Sequence, residues 1–317
     1  MFDFFHRIYI IRTKDARWIL HNQGGNFMKN KLSPQDAAEL MLISARIRRS
    51  ALEMVYNATS GHLGGSFSIC ELLAVLYFHE MHIDPASPAD PDRDRFVLSK
   101  GHCTPALYSA LAFRGYFPLE EPKSFRRLDG HMSGHAEMHH VKGVDMSTGS
   151  LGQGISAAVG MALAGKLDSK DYRTYAILGD GEIQEGQDWE AAMAAGNYGL
   201  DNLCAIVDNN NIQIDGTIEE IMSPYPIDRK FEDFGWNVVH CDGHDPADIA
   251  AAFDAARACK GKPTMLIAHT VKGKGVSFME NSAEWHGNDP NTEQYLRAAA
   301  ELDELVMKAE KEASAHA

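Results

Sequence analysis

Five short apolar runs, separated by long stretches of helical character, most constrain what this chain can fold into. The runs are bounded by polar residues and lie at 95–98, 173–178, 203–207, 237–239 and 264–268. Ala-rich segments at 155–167, 189–197 and 246–260 lie between several of them. Apolar strands without polar alternation are typical of parallel sheets that helices cover on both faces. We therefore predict an α/β fold, a doubly wound parallel sheet in a single large domain.

The two ends of the chain depart from this pattern. Residues 1–30 lack a sustained period, and we treat them as a flexible N-terminal extension. Ser33, Pro34 and Asp36 predict a capped helix start, and Ser68 with Glu71 predicts a second one. We assign the main domain to 31–290 and a last helix, at about 293–311, with its tail to 291–317.

Charge and composition exclude several function classes. The 317 residues carry a net charge of −14, which disfavours binding to the phosphate backbone of nucleic acids. No run of 18 apolar residues occurs, so a membrane span is not expected. Five widely spaced cysteines without a CxxC motif indicate reduced thiols, and we expect a cytoplasmic protein.

The most specific chemical signal follows two consecutive strand candidates. The sequence Gly179-Asp180-Gly181 ends one of them, and a run of three asparagines at 209–211 ends the next. In open α/β sheets, ligands bind at the carboxyl ends of the strands. A carboxylate and an amide oxygen meeting there would suit Mg²⁺, which completes its coordination with phosphate oxygens and water. A helix cap at Asp180 with an Asx turn in the Asn run is the structural alternative.

This motif and its surroundings resemble the transketolase family of thiamine diphosphate-dependent enzymes. GDG, a spacer and NN form the thiamine diphosphate motif. The further matching stretches are SGHLGG at 60–65, SKGH at 99–102, GHAE at 134–137, GSLGQG at 149–154, HTVKGKG at 269–275 and WHG at 285–287. The resemblance runs from about 47 to 286 in family order, and it implies the family's thiamine diphosphate-binding fold.

The resemblance also implies which residues hold the cofactors. Asp180, Asn210 and the backbone carbonyl of Ile212 would bind Mg²⁺, or another divalent cation such as Ca²⁺ or Mn²⁺. The residues implied to contact thiamine diphosphate are His102, Gly149, Leu151, Gly181, Glu185 and Asn210. Of these, Glu185 matches a carboxylate at the family's subunit interface.

Four histidines are implied to act on the substrate. His62, His135 and His286 match residues that line the donor-sugar cleft, and His102 matches a residue close to both cofactor and substrate. Imidazoles suit a reaction in which alkoxides form and collapse, since they exchange protons near neutral pH. The implied reaction moves a two-carbon ketol unit from a ketose, or ketose phosphate, to an aldose or aldose phosphate.

Several residues allow a second interpretation. His131, His135 and His139 recur every four residues and could bind zinc if the segment were helical, but Gly130 and Gly134 disfavour a helix. Cys103 could be a nucleophile, although a small buried thiol is the simpler identity. The segment 272–275 could bind an anion or form a solvated loop.

The resemblance covers only one half of a full-length transketolase. Nothing in the 317 residues corresponds to the pyrimidine-binding domain, so we expect an N-terminal subunit that is active only with a partner carrying that domain. The expected assembly is a heterotetramer with sugar or sugar-phosphate substrates. The alternatives are the α subunit of a 2-oxo acid dehydrogenase-type complex, a 1-deoxyxylulose 5-phosphate synthase-like enzyme, or a non-catalytic relative.

Overall fold

A computed structural model describes residues 32–316 of the chain. The predicted extension at 1–30 therefore lies outside the described residues. The helices, in chain order, are α1 (Pro34–Ala58), α2 (Gly64–Phe67), α3 (Cys70–Val75), α4 (Thr104–Arg114), α5 (Gln153–Leu167), α6 (Gly186–Asn197), α7 (Ile218–Ile221), α8 (Ile227–Asp233), α9 (Pro246–Ala258) and α10 (Thr292–Ala315).

The predicted sheet is confirmed. Its strands are β1 (Arg95–Leu98), β2 (Thr174–Gly179), β3 (Leu203–Asn209), β4 (Asn237–Asp242) and β5 (Thr264–His269). All neighbouring pairs are parallel, and the spatial order is β1-β2-β3-β5-β4. β2 and β3 are direct neighbours, so the Asp180 and Asn209 segments leave the sheet side by side at the same edge.

The sheet separates two apolar cores, because successive side chains of a strand point to opposite faces. In β2, Tyr175 and Ile177 belong to the core that contains α1, α3, α4 and α9, whereas Ala176 and Leu178 belong to the core with α5, α6 and α8. Burial on both faces explains why the strands read as apolar runs. Helices on both faces confirm the doubly wound architecture.

The first predicted helix start is confirmed, and the second is wrong. Ser33 and Asp36 form a complete capping box at the beginning of α1. The Ser68 hydroxyl does not cap α3. It lies 2.7 Å from the Asp208 carboxylate and 3.0 Å from the carbonyl of Gly65, which are two acceptors for its single proton. The chain instead forms the one-turn helix α2, and α3 begins at Cys70.

The last helix packs along the first. The rings of Tyr56 in α1 and Tyr295 in α10 stack with centroids 3.9 Å apart, and Arg49 Nε donates to Asp303 at 2.9 Å. Leu302 of α10 is buried against this surface. Within residues 32–316, no helix combines the length and apolar character that crossing a membrane requires.

Candidate active site

The Asp180 carboxylate lies against the loop that follows β3. One oxygen, Oδ2, accepts from the backbone N–H of Asn211 at 2.5 Å and from Asn209 Nδ2 at 3.3 Å. The other oxygen accepts from the N–H of Gly181 at 2.8 Å. The sequence prediction that two strand ends bring a carboxylate to an asparagine-rich loop is thus confirmed, and metal binding there stays a prediction.

Asn210 and Ile212 complete this loop. Asn210 is only 6% exposed; its amide donates to Asp208 at 2.8 Å, and its carbonyl accepts from the N–H of Ile212 at 3.1 Å. The carbonyl of Ile212 accepts from the ammonium of Lys272 at 2.9 Å. The Ile212 carbonyl is therefore already hydrogen-bonded to a positively charged group.

The donor set of this loop fits a hard divalent cation. A carboxylate, an amide oxygen and a backbone carbonyl are oxygen ligands of the kind that Mg²⁺ and Ca²⁺ take. Burial and the nearby Asp208 raise the pKa of Asp180 to about 6. A cation at this carboxylate would stabilise the ionised form, so the protein's own electrostatics favour a positive partner.

A buried ion pair, which the sequence did not reveal, underlies the loop. Lys100 Nζ contacts the Asp208 carboxylate and donates to the carbonyl of Gly65 at 3.0 Å. Lys100 and Asp208 are 2% and 0% exposed, and Thr270 also donates to Asp208. The only sequence signal was a lysine directly between an apolar strand and Gly101-His102. Such a pair fixes a positive charge at the strand ends without leaving a buried charge unpaired.

The segment at 272–275 contains one buried lysine and one partly exposed lysine. Lys272 is buried, and its ammonium lies 2.9 Å from the Ile212 carbonyl and 2.8 Å from His286 Nδ1. Burial and then Lys100 lower the pKa of Lys272 to about 8. The solvated-loop interpretation is therefore wrong for Lys272, whose side chain points into the site next to a turn in which Gly273 has a φ of +76°. Lys274 remains partly exposed.

The four predicted histidines form one cluster. The ring centroid of His62 lies 5.1 Å from that of His102, 5.5 Å from that of His286 and 6.1 Å from that of His135. The rings of His102 and His286 are 5.2 Å apart. These residues come from four separate segments of the sequence, so the fold creates the cluster.

Burial, with a smaller contribution from nearby cations, keeps the imidazoles of the cluster neutral. Burial and then Lys272 lower the pKa of His286 to about 3, while burial and then Arg126 lower that of His62 to about 4. Burial and Lys100 hold the pKa of His102 well below its usual value, and burial with Arg126 also lowers that of His135. Neutral imidazoles each offer one donor and one acceptor, which is what proton exchange with hydroxyl groups requires.

Glycines allow the surrounding loops to approach closely. Gly149 has a φ of +148°, and a Cβ there would lie 3.1 Å from the His135 ring. A Cβ at Gly101 would lie 2.4 Å from Thr148 Oγ1, and one at Gly181 would lie 3.1 Å from the Gln213 side chain. Leu151 is half-buried next to these glycines. The glycines thus allow these segments to pack closely against neighbouring side chains. Contact of Gly149, Leu151 and Gly181, which we call the cradle, with a cofactor stays a prediction.

An acidic group begins beside this cradle. Glu182 is buried and accepts from Ser99 Oγ at 2.6 Å and from the N–H of Gly152 at 3.1 Å. Asp188 is 1% exposed, and neither of its carboxylate oxygens has a hydrogen-bond partner in residues 32–316. Burial, Glu182 and Glu185 raise the pKa of Asp188 to about 8. Sequence analysis missed Asp188, while Glu185 is exposed, as an interface residue would be.

The structure bears on two alternatives from the sequence, which are zinc binding by the histidines at 131–139 and a nucleophilic role of Cys103. Residues 131–140 form bends and turns, so the helical spacing that the zinc interpretation assumed is absent there. Cys103 is fully buried, and burial raises the pKa of its thiol to about 11, which makes it a poor nucleophile. Both observations favour the simpler identities.

Comparison with known proteins gives a family match over most of the chain. Residues 40–302 match the family model described as "Transketolase, thiamine diphosphate binding domain". This range contains β1 to β5, the Asp180 loop and all four clustered histidines.

Two bacterial relatives align with the chain over nearly their full length. The chain is 49% identical over 257 residues to the 6-deoxy-6-sulfo-D-fructose transketolase subunit SqwG of Clostridium sp. (strain MSTE9), with 81% of this chain and 94% of the relative covered. It is 45% identical over 273 residues to a subunit of the apulose-4-phosphate transketolase of Phocaeicola vulgatus, with 86% and 97% covered.

Larger transketolases match through one part of their length. The mouse transketolase is 41% identical over 246 residues, which cover 76% of this chain and 38% of that protein. The solved transketolase of Leishmania mexicana superposes with a TM-score of 0.77 at 30% identity, and the match covers 87% of this chain and 46% of that one. The chain thus spans less than half the length of these proteins.

Proposed function

This chain belongs to the transketolase thiamine diphosphate-binding domain family, and we propose that it is the diphosphate-binding subunit of a two-component transketolase. With its partner it transfers a two-carbon ketol unit from a ketose to an aldose. The two relatives that it covers almost throughout are both named as subunits of transketolases, which supports the two-component arrangement.

The observation that carries this proposal is the histidine cluster next to the Asp180 loop. The ring centroids of His102, His286 and His135 lie 5.1, 5.5 and 6.1 Å from that of His62. Lys272 contacts both His286 and the Ile212 carbonyl of the loop. A cofactor bound through a metal at the loop would therefore have proton-exchanging side chains beside it.

The chain supplies the residues for thiamine diphosphate and a divalent cation. Asp180, Asn210 and the Ile212 carbonyl would hold Mg²⁺, or Ca²⁺ or Mn²⁺, and the cradle of Gly149, Leu151 and Gly181 would receive the diphosphate. Lys272, whose ammonium contacts a backbone carbonyl and an imidazole nitrogen rather than a carboxylate, places positive charge beside the loop, whereas the charge of Lys100 is balanced by Asp208. When bound, the cofactor supplies the nucleophilic carbon and the electron sink for cleaving a bond beside a carbonyl.

The histidines would bind the sugar and move its protons. A neutral imidazole can donate to one hydroxyl from one nitrogen and accept from a different group at the other, so the cluster can orient a polyol and stabilise developing charge. His286 is the best oriented, because the ammonium of Lys272 occupies its Nδ1 and leaves Nε2 as the protonated nitrogen. The Nε2–H group is then available as a donor.

The proposed partner and substrates are suggested by the relatives. We propose a second subunit that carries the pyrimidine-binding domain and a heterotetramer with two copies of each chain. The relatives' names refer to a sulfonated and a phosphorylated ketose, so a ketose with an anionic group is the expected donor class. All five cysteines are free thiols, which supports a cytoplasmic location.

Reconstitution tests the proposal. The chain and the product of its neighbouring gene are purified separately and together, and ketol transfer is assayed with thiamine diphosphate, Mg²⁺, a ketose phosphate donor and an aldose phosphate acceptor. We expect turnover only in the mixture. Robust transfer by this chain alone would contradict the two-component arrangement, and use of pyruvate in place of the ketose would favour the alternative enzymes.

A further inference from the structure

A histidine that the sequence analysis did not single out connects the core of the molecule to the site. His244 lies in the turn between β4 and α9, and its side chain is 14% exposed. Its Nδ1 lies 3.0 Å from Glu71 Oε2, and its Nε2 accepts from the backbone N–H of Val271 at 2.9 Å. Val271 directly precedes Lys272, the residue that contacts His286.

The two contacts define one protonation state of the ring. A backbone N–H can only donate, so Nε2 of His244 carries no proton and Nδ1–H donates to Glu71. Glu71 is 2% exposed, and it also accepts from Arg48 Nη2 at 2.7 Å and from Ser44 Oγ at 3.2 Å. Burial alone would raise the pKa of Glu71, but Arg48 and His244 bring it down to about 2, so the acceptor is ionised.

The contact between Lys272 and His286 also defines the protonated nitrogen of a histidine ring. The Lys272 ammonium donates to His286 Nδ1 at 2.8 Å, which places the His286 proton on Nε2. The Lys272 backbone is held as well, since its carbonyl accepts from the N–H of Asn281 at 2.9 Å and the next N–H, of Gly273, donates to Gly64 at 3.0 Å. His244 adds the constraint on the N-terminal side of Lys272.

We propose that His244 is a positioning residue that, through the N–H of Val271, holds Lys272 against His286 and thereby fixes the tautomer of a substrate-cleft histidine. The connection runs from Arg48 and Glu71 through His244 and Val271 to Lys272 and His286. Partners behind a functional histidine commonly set its orientation and protonated nitrogen, and their loss costs about 10- to 100-fold in activity. The inference rests on the proposed function only for its catalytic consequence.

Two amide variants separate the halves of the connection. In His244→Asn the side chain reaches only the Nδ1 position, so it keeps a donor for Glu71 and loses the acceptor for Val271. In His244→Gln the amide oxygen reaches the Nε2 position and keeps that acceptor. His240→Asn is the matched control, because His240 is half exposed on β4 and bonds to His269 instead.

The first readouts use the complete chain and need no turnover. Nitrogen-15 shifts of the histidine rings are expected to show Nδ1–H in His244 and Nε2–H in His286. Amide exchange at Val271 is expected to rise about tenfold or more in His244→Asn, since the N–H loses its acceptor, and to stay near the unmodified rate in His244→Gln and His240→Asn. Nε2–H in His244 of the unmodified chain would overturn the proposal even if neither variant folds.

The reconstituted enzyme supplies the catalytic readout. We expect kcat/KM for the ketose donor to fall about tenfold in His244→Asn and to be largely restored in His244→Gln. A loss in His244→Gln as large as or larger than that in His244→Asn would show that the acceptor for the Val271 N–H is not what matters and would overturn the proposal. Because the ring shifts and amide exchange are measured on this chain alone, a failure of the proposed transketolase activity would not be mistaken for a failure of the connection.

Discussion

Two groups of ionisable side chains lie at the carboxyl edge of the sheet, one of histidines and one of carboxylic acids. Burial lowers the pKa values of the histidines and raises those of the acids, so that it favours the uncharged form of both. The histidine cluster has Lys100, Lys272 and Arg126 around it, and these cations lower the histidine pKa values that burial has already lowered. The acidic group of Asp180, Glu182 and Asp188 has raised pKa values, and burial is the largest cause in each case. Repulsion adds to the pKa of Asp180 through Asp208 and to that of Asp188 through Glu182 and Glu185.

The difference between the two groups indicates which ligand each group suits. Neutral imidazoles can exchange protons with a sugar at once, whereas buried carboxylates that resist ionisation gain most from an arriving positive charge. Asp180 fits a metal ion in this respect. Asp188 has no hydrogen-bond partner within residues 32–316, so its carboxyl is the least satisfied group of the edge.

The largest expected effect is that of Asp180→Asn. The variant removes the one carboxylate of the cation site, so we expect calorimetry with thiamine diphosphate and Mg²⁺ to show an affinity lowered by about 100-fold or more. Because each oxygen of Asp180 accepts from an N–H, the new amide NH2 would face a donor on one side, so we expect the free energy of unfolding of the chain alone to fall by on the order of 1 kcal/mol. Unchanged affinity would remove Asp180 from the metal site and end the comparison between the two groups.

The next effect concerns Asp188. A group whose pKa is about 8 when folded and 3.8 in its ordinary state keeps its proton longer in the folded chain, so stability falls between about pH 4 and pH 8. At pH 9, Asp188→Asn should unfold with a free energy higher than that of the unmodified chain by on the order of 2 kcal/mol, with little difference at pH 4. Urea titrations at both pH values measure this.

The exposed Glu190 on the same helix is the control for Asp188. Glu190→Gln should leave the pH dependence of unfolding as it is, because Glu190 is exposed and lies outside the buried acidic group. A pH dependence in Asp188→Asn as steep as that of the unmodified chain would mean that Asp188 is ionised and has no part in the acidic group.

A smaller effect is expected for His135→Asn in the reconstituted enzyme. Loss of one neutral imidazole from the cluster should raise KM for the ketose donor about tenfold while cofactor affinity stays the same. His139→Asn, an exposed neighbour in the same turn region, should change neither quantity. If cofactor affinity fell instead, His135 would belong with the cation site rather than with the sugar.

The smallest effect tests the cations around the cluster. In Lys272→Met the pKa of His286 should move up from about 3, but only part of the way, since burial is the larger cause of its depression. A ring-proton titration by NMR measures the shift, and Lys274→Met, whose side chain is partly exposed, is the control. A His286 pKa that does not move would show that burial alone keeps the cluster neutral.

Local patterns in the sequence predicted the fold, whereas the membership of the histidine cluster was implied by the resemblance to the transketolase family. Parallel strands buried on both faces leave continuous apolar runs, so all five strands could be located, and the capping box at Ser33 is a local motif. The start predicted at Ser68 failed because its hydroxyl is used by Asp208, 140 residues away along the chain. A partner that distant leaves no local trace.

The charged interior was harder to foresee for the same reason. Lys100, Lys272 and His244 acquire their importance from partners in other segments of the chain, which are Asp208, Ile212, His286 and Glu71. Asp188 reads as an ordinary polar residue near a helix start. Only the packed structure shows that it is buried without a donor among residues 32–316.

The hydrogen bonds that hold the Asp180 carboxylate have a kinetic consequence. Three N–H donors of the chain itself already orient it, two from the asparagine loop and one from Gly181. The orientation of the Asp180 carboxylate is therefore set by the chain before a cation binds, so that this ligand needs little rearrangement, whereas the Ile212 carbonyl would have to exchange the Lys272 ammonium for the cation. The speed of loading would then be governed by that exchange and by how readily Mg²⁺ sheds water, a step that this small ion makes reluctantly.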